Sequence, residues 1–307
     1  MKDGTMGYVV GVDAGGTAST AVVATVDGVV VGRGRSGPGN PLTAGARNAA
    51  ASVTAAVRDA LGGRSPTVIA AATLGIAGPA TAAHFAPALA ALGVPGPVTV
   101  VGDVVTAFAA GSPAASGAVL IAGTGAIAAS VRADAVERTS DGLGWLLGDE
   151  GSGRWLGLQA VRSAVRNWSA PFATRVAAQA GVSTADEMVY WAQALPLGEI
   201  GDLAPLVCAA ARSADPHATA IVREAVTHLV RTLDDLGMDG PVVLAGGLLT
   251  GDTPIRDGVL AILHERGLIP TTSRDPAAGA AWLAARPLSR LPPTALHKAL
   301  LGPADNA

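Results

Sequence analysis

Three glycine-rich turns in this 307-residue chain have the composition needed to grip phosphate. Gly11-Val12-Asp13-Ala14-Gly15-Gly16-Thr17 combines two adjacent glycines with a carboxylate and a hydroxyl. Phosphate needs several donors at close range, and backbone amides supply them only where no Cβ blocks the approach. Glycine gives that access and adopts the positive φ of tight turns. Asp13 can hold a hydrated Mg2+ beside the phosphates, and Thr17 adds a hydroxyl donor. Gly123-Thr124-Gly125 repeats the arrangement without the acid, and Gly246-Gly247 is a third such turn. Each alone also fits a plain hairpin. Three of them at the ends of apolar runs predict a nucleotide cleft.

Asp103 is the other residue placed for chemistry, because it ends the apolar run Val98–Val101. An Asp there can cap a helix starting near Val104. Its place at a strand end, in a chain with phosphate turns, favours a general base that takes a proton from an attacking hydroxyl.

The elements that would present these residues alternate between strand and helix. Tyr8–Val12, Ala21–Thr25 and Val29–Gly32 read as strands, with Asp27-Gly28 as a hairpin turn between the last two. Pro41–Leu61 has helical apolar spacing, Thr67–Gly75 reads as a strand, Ala82–Leu92 as a helix and Val98–Val101 as a strand. A linker, Gly111–Gly117, divides the chain. Strands at Ala118–Ala122 and Ile127–Val131 then flank the second glycine turn. Helices follow at Leu156–Asn167 and through residues 171–238, then a strand at Val242–Leu244, a helix at Asp275–Ala285 and an amphipathic tail around Thr294–Leu301. The theme of strand, glycine turn, strand thus occurs near residue 10 and again near residue 120, as two copies of one α/β unit would give.

Composition narrows the function classes. Half the residues are apolar and 15% are charged, which suits a packed core. Net charge is −3 with scattered basic residues, so nucleic acid is not an expected partner. Each apolar run is too short to span a bilayer, and Met1–Gly7 lacks the order of a signal peptide, so a cytoplasmic protein is expected. Cys208, the one cysteine, excludes an intrachain disulfide or a cysteine-held cluster, and reads as a buried helix residue. His84, His217, His228, His264 and His297 show no metal spacing and suggest surface or capping roles. No G-x-x-x-x-G-K-[ST] occurs. Gly32-x-Gly34-x-x-Gly37 matches a dinucleotide fingerprint by letter but runs into Pro38-Gly39-Asn40-Pro41 instead of a helix.

In order and type these motifs resemble those of the actin, Hsp70 and sugar-kinase superfamily. Gly142-Leu143-Gly144-Trp145-Leu146-Leu147-Gly148-Asp149-Glu150-Gly151-Ser152-Gly153 resembles the signature of the N-acetylglucosamine kinases of the BadF/BadG/BcrA/BcrD ATPase group. The resemblance implies an α/β fold of two ribonuclease-H-like (actin-like ATPase) domains, about residues 1–115 and 116–286, flanking a cleft for nucleotide and sugar and closing by hinge motion. The tail, about residues 287–307, is expected to pack back on the first domain. It implies ATP and Mg2+ as cofactors and a sugar as the small-molecule partner. The chain is expected to act as a homodimer, with neither nucleic acid nor membrane as a partner.

The resemblance also implies residue roles. Asp13 stands on the magnesium side, and Gly15, Gly16 and Thr17 contact phosphate. Asn40 bonds a sugar hydroxyl, Asp103 is the base, and Thr124 sits between sugar and phosphates, flanked by Gly123 and Gly125. Gly142, Gly144 and Asp149 line the sugar pocket, while Gly246 and Gly247 pass close to the nucleotide. Asp149 and Glu150 also suit a helix N-terminus, and Glu150 is expected to link to Arg154 four residues on. Asn40 before Pro41 fits a simple turn, and core packing is the default for Trp145, Trp155 and Trp168. Ala77 and Ala126 are apolar where the family often has a polar residue, which leaves the acyl contact open. The expected reaction is phosphorylation of the 6-hydroxyl of N-acetylglucosamine. Glucosamine, N-acetylmuramic acid or muramic acid are alternative substrates, and a non-catalytic sugar sensor is the alternative of another class.

Overall fold

A computed structural model describes residues 7–195, 199–237 and 240–303 of the chain. The start of the chain before Gly7 and the end of the tail after Pro303 lie outside the described residues.

The first sheet grows from valine-rich runs. Its strands are β1 (Tyr8–Ala14), β2 (Ser19–Thr25), β3 (Val30–Ser36), β4 (Ile69–Ile76) and β5 (Val98–Gly102), in the order β3-β2-β1-β4-β5. β1 pairs antiparallel with β2 and parallel with β4, and β4 pairs parallel with β5. Ala14 faces Ile76, and Ile76 faces Gly102, so the carboxyl ends of three strands share one edge. That edge is where open α/β sheets bind ligands. Asp13 and Asp103 both stand on it.

Between the strands run α1 (Pro41–Ala44), α2 (Ala46–Leu61) and α3 (Ala82–Leu92), and α4 (Asp103–Gly111) follows β5. The sequence predicts one helix over Pro41–Leu61. Gly45, at φ 78°, breaks it into α1 and α2.

The second sheet holds β6 (Ser116–Ala122), β7 (Ala126–Arg132), β8 (Ala135–Asp141), β9 (Val242–Ala245) and β10 (Thr271–Thr272), ordered β10-β9-β6-β7-β8. Read from its far edge this repeats the first sheet's order, so the duplicated theme extends to whole sheets. Between β8 and β9 come α5 (Gly153–Arg166), α6 (Pro171–Ala180), α7 (Ala185–Ala194), α8 (Ala204–Arg212) and α9 (Pro216–Asp234). α10 (Gly247–Thr250) and α11 (Pro254–Glu265) precede β10, and α12 (Pro276–Ala285) and α13 (Pro293–Leu301) close the chain. Among the described residues no helix is long and apolar enough to cross a membrane.

Two compact units result. One takes residues up to 119, 131–137 and the segment from 271, and the other takes 120–130 and 138–270. In the first unit α12 lies against β1, β4 and α4. Glycine permits that approach: a Cβ on Gly11 would stand 2.1 Å from both the Ala277 carbonyl oxygen and the Ala281 amide nitrogen. Gly32 and Gly34 do the same for α2, since a Cβ there would lie 1.9 Å from the Ala60 oxygen and 2.2 Å from the Ala56 oxygen. The dinucleotide-like spacing is therefore helix-on-sheet packing within β3.

Gly11→Ala, with backbone on both sides of the new methyl, is expected to lose about 3 kcal/mol or more in urea denaturation, the upper range for overpacking. Gly16→Ala meets nothing closer than 3.9 Å and should stay within about 0.5 kcal/mol of wild type.

Candidate functional site

At the carboxyl edge of the first sheet, the turn after β1 is closed by the Gly15 amide donating to the Ala18 carbonyl at 2.9 Å. Gly16 and Thr17 are exposed. Neither Gly15 nor Gly16 has a positive φ, so the useful property of this pair is open space. The nearest atom to a Cβ would be 3.9 Å away at either position, which leaves room for a bulky anion to approach the turn on its Gly16 side. The Gly15 carbonyl accepts from the Gly39 and Asn40 amides at 2.9 and 3.2 Å, which seats Asn40 beside this turn. Asn40 caps α1, its Oδ1 accepting from the Leu42 amide at 2.8 Å, and its Nδ2 has no part in that cap.

Asp103 occupies the first position of α4, with Gly102 as the N-cap residue. Its Oδ1 accepts from the Val104 amide at 3.0 Å. Burial pushes its carboxyl above the usual range, and the backbone hydrogen bonds partly counter this. A carboxylate so placed has one oxygen fixed and raised proton affinity, which suits a base.

Burial, and then the charges of Asp103 and Asp275, raise the Asp13 carboxyl to about 7. Asp275 caps α12 through the Ala278 amide at 3.0 Å and pairs with Arg33 at 2.5 Å. The sequence places the helix start at Asp275, and an Asp directly before a Pro-initiated helix is a cap signal, but its nearness to Asp13 has no sequence signal. Among the described residues no three His, Cys, Asp or Glu side chains are grouped to cage a metal. Mg2+ seldom uses such a cage, binding through one or two carboxylates together with substrate phosphates and waters. The crowded Asp13 fits that mode, since a dication would relieve the repulsion that raises it.

In the second unit β6 and β9 are neighbours, so the turns that follow them meet. A Cβ on Gly246, at φ 81°, would lie 2.3 Å from the Ala122 oxygen. Gly123, Thr124 and Gly247 line one cavity of about 710 Å3, walled also by Cys208 and Arg212 of α8. Cys208 is buried as expected, yet it borders this cavity. The start of α5 closes on the same turn, with the Gly153 amide donating to the Gly123 carbonyl at 2.8 Å.

The loop from Asp141 to Ser152 is organised around two carboxylates. Asp141 accepts from the Asp149 amide at 2.7 Å with Oδ1 and from the Glu150 amide at 2.9 Å with Oδ2. Asp149, buried and at φ 57°, accepts from the Ala126 amide at 3.2 Å. A Cβ on Gly125 would strike the Asp149 carboxylate at 2.9 Å, so Asp149 braces the Gly123–Gly125 turn from below. Burial raises its carboxyl, the Ala126 bond lowers it, and Asp141 and Arg154 act with opposite signs. Gly142 and Gly144 take φ of 73° and 80° in this loop, conformations that favour glycine.

Two expectations are corrected here. Glu150 pairs with His228 at 2.8 Å, not with Arg154. His297 is buried, its Nε2 lying 2.8 Å from the Ala109 carbonyl oxygen. Asp141 was not singled out from the sequence, where a lone Asp before Gly142 carries no distinguishing signal.

Residues 10–284 match the BadF/BadG/BcrA/BcrD ATPase family. Among characterised relatives, the N-acetylmuramic acid/N-acetylglucosamine kinase of Clostridium acetobutylicum is 29% identical over 168 residues. The match covers 53% of this chain and spans about half, 55%, of that relative's length. A Chromobacterium violaceum protein assigned as an N-acetylglucosamine kinase superposes with a TM-score of 0.74 at 26% identity, over 91% of this chain and 99% of that one. A ROK family glucokinase from Streptomyces griseus shares the fold, with a TM-score of 0.61 at 20% identity over 91% and 100% of the two chains.

The crowding at Asp13 has a consequence for stability. The unfolded carboxyl ionises near 3.8 and the folded one near 7. Folding therefore loses stability as pH rises through that interval, because the unfolded state gives up its proton first. Urea denaturation of metal-free Asp13→Asn and wild type should give equal stabilities near pH 4. By pH 8 the variant should be more stable by about 2 kcal/mol, half of what three pKa units represent, given partial solvent access. A difference that does not change with pH would contradict this origin.

Proposed function

The chain belongs to the BadF/BadG/BcrA/BcrD ATPase family, and we propose that it is a kinase transferring the γ-phosphoryl group of ATP to the 6-hydroxyl of an amino sugar, N-acetylglucosamine in the first instance. The observation that carries this reading is Asp103, a half-buried carboxylate of raised proton affinity at the carboxyl edge of a β-sheet. The names of the Clostridium and Chromobacterium relatives support the choice of sugar.

In this reading Asp103 accepts the proton of the sugar hydroxyl as its oxygen attacks the γ-phosphorus. The bond to the bridging oxygen breaks and leaves ADP. Phosphoryl transfer demands positioning and charge neutralisation more than covalent chemistry. The open backbone at Gly16 and Thr17, and at Thr124 in the Gly123–Gly125 turn, binds phosphate oxygens, and the cavity beside Gly247 and Cys208 receives the nucleoside. Asn40 and Asp149 orient the sugar. Asp13 would hold the Mg2+ that accompanies the nucleotide, and that ion would supply neutralisation of phosphate charge.

ADP release should depend on both ATP and an amino sugar when a panel of amino sugars and hexoses is assayed. ATP consumption with none of them would replace the kinase by the sugar-sensing alternative. Asp103→Asn should lower kcat by about 1,000-fold, within the span of general acid–base contributions, with the sugar KM little changed. A residual rate within about tenfold of wild type would remove Asp103 as base. Asp141→Ala, which frees the Asp149 and Glu150 amides, should raise the sugar KM about tenfold and the ATP KM less.

A further inference from the structure

The cavity beside Gly247 and Cys208 has two unlike ends. At one of them α8 begins. A Cβ on Gly153 would stand 3.1 Å from the Gly123 carbonyl oxygen and 3.8 Å from the Ala204 methyl, so the amino terminus of α8 meets the Gly123–Gly125 turn. Arg212 is the last residue of α8, about two turns or roughly 12 Å further along the axis. There its Nη2 donates to Asp252 Oδ1 at 2.5 Å and to Asp257 Oδ2 at 3.3 Å. Asp257 belongs to the first turn of α11, while Arg212 and Asp252 both line the cavity. Two carboxylates thus hold one guanidinium at the far end of the space.

Charge decides what each end can take. One cation beside two carboxylates leaves an excess of negative charge, and the carboxyl terminus of α8 adds to it. That end repels phosphate. The opposite end, with the amino terminus of α8 and the Thr124 backbone, attracts it. Asp202, exposed and also in the wall, is an acceptor suited to ribose hydroxyls. Cys208, Ala209 and Leu248 make the intervening wall apolar.

We propose that Arg212 is the platform for the nucleotide base: its guanidinium, held in place by Asp252 and Asp257, lies against the face of the adenine while the phosphates point back to Thr124. This rests on the nucleotide reading of the cavity given above. A planar guanidinium stacks on an aromatic face, and one already paired with acids costs less to cover than a lone charge. The two acids act through the arginine and are positioning residues.

Titration calorimetry without sugar reads this directly, using ATP, ADP and, by displacement of ADP, the uncharged adenosine. Arg212→Ala should weaken all three by a similar factor of about 10, within the range of a cation on a desolvated ring. A loss confined to ATP and ADP would make Arg212 a phosphate contact and overturn the proposal, as would no loss at all. The double variant Asp252→Asn, Asp257→Asn keeps the guanidinium but releases it, and should weaken adenosine about threefold. Adenosine binding that is unchanged or tighter there would also overturn the proposal. If thermal melts show Arg212→Ala to be poorly folded, the double variant decides by itself. Wild type that binds ADP but phosphorylates no sugar would remove the kinase reading and leave Arg212 to be decided by the same titrations. Wild type that binds no adenine nucleotide would remove the proposal together with the nucleotide reading.

Discussion

Like charges brought together at one edge of the first sheet set the terms for the rest of the molecule. Asp13 is the penultimate residue of β1, Asp103 opens α4 and Asp275 caps α12. The first sheet's order and the parallel pairing of β1, β4 and β5 send Asp13 and Asp103 to a common edge. The bare backbone of Gly11 lets α12 close on β1 and delivers Asp275 to the same region. Burial removes the water that would screen these charges, so Asp13 holds its proton to about 7. Such a cost, a buried carboxyl held above its usual range beside two others at the carboxyl end of a sheet, is a feature that clusters at functional sites.

The second unit solves a different problem, that of holding a bare glycine turn in a defined shape. The solution is a relay of hydrogen bonds. Asp141 fixes the amides of Asp149 and Glu150, and Asp149 in turn fixes the amide of Ala126 beneath Gly123-Thr124-Gly125. One carboxylate thereby ties the phosphate-type turn to the loop that borders a second cavity, lined by Trp145 and Arg154. Asp149 combines a left-handed φ with burial at the point where the loop meets this turn.

Much of the fold was legible because strands and helices here obey simple patterns. Ala82–Leu92 has the bounds that its apolar spacing predicts, and the Asp27-Gly28 hairpin forms with Gly28 at φ 93°. β8, Ala135–Asp141, escaped detection because five of its seven residues are exposed and it shows no apolar alternation. Glycines misled by letter: Gly11, Gly32 and Gly34 serve helix packing, whereas Gly15 and Gly16 serve access, and the sequence does not distinguish the two uses. The placing of Asp13, Asp103 and the glycine turns near strand ends could be read from the apolar runs that precede them. Asp141 could not, since its meaning lies in partners that only folding supplies.

The most direct measurement is a crystal structure of the complex with a non-hydrolysable ATP analogue, Mg2+ and an amino sugar. The account predicts a sugar hydroxyl within about 3 Å of the Asp103 carboxylate, on the side facing the terminal phosphate, with Asp13 toward the metal. A sugar bound elsewhere, with Asp103 bonded only to the Val104 amide, would contradict it.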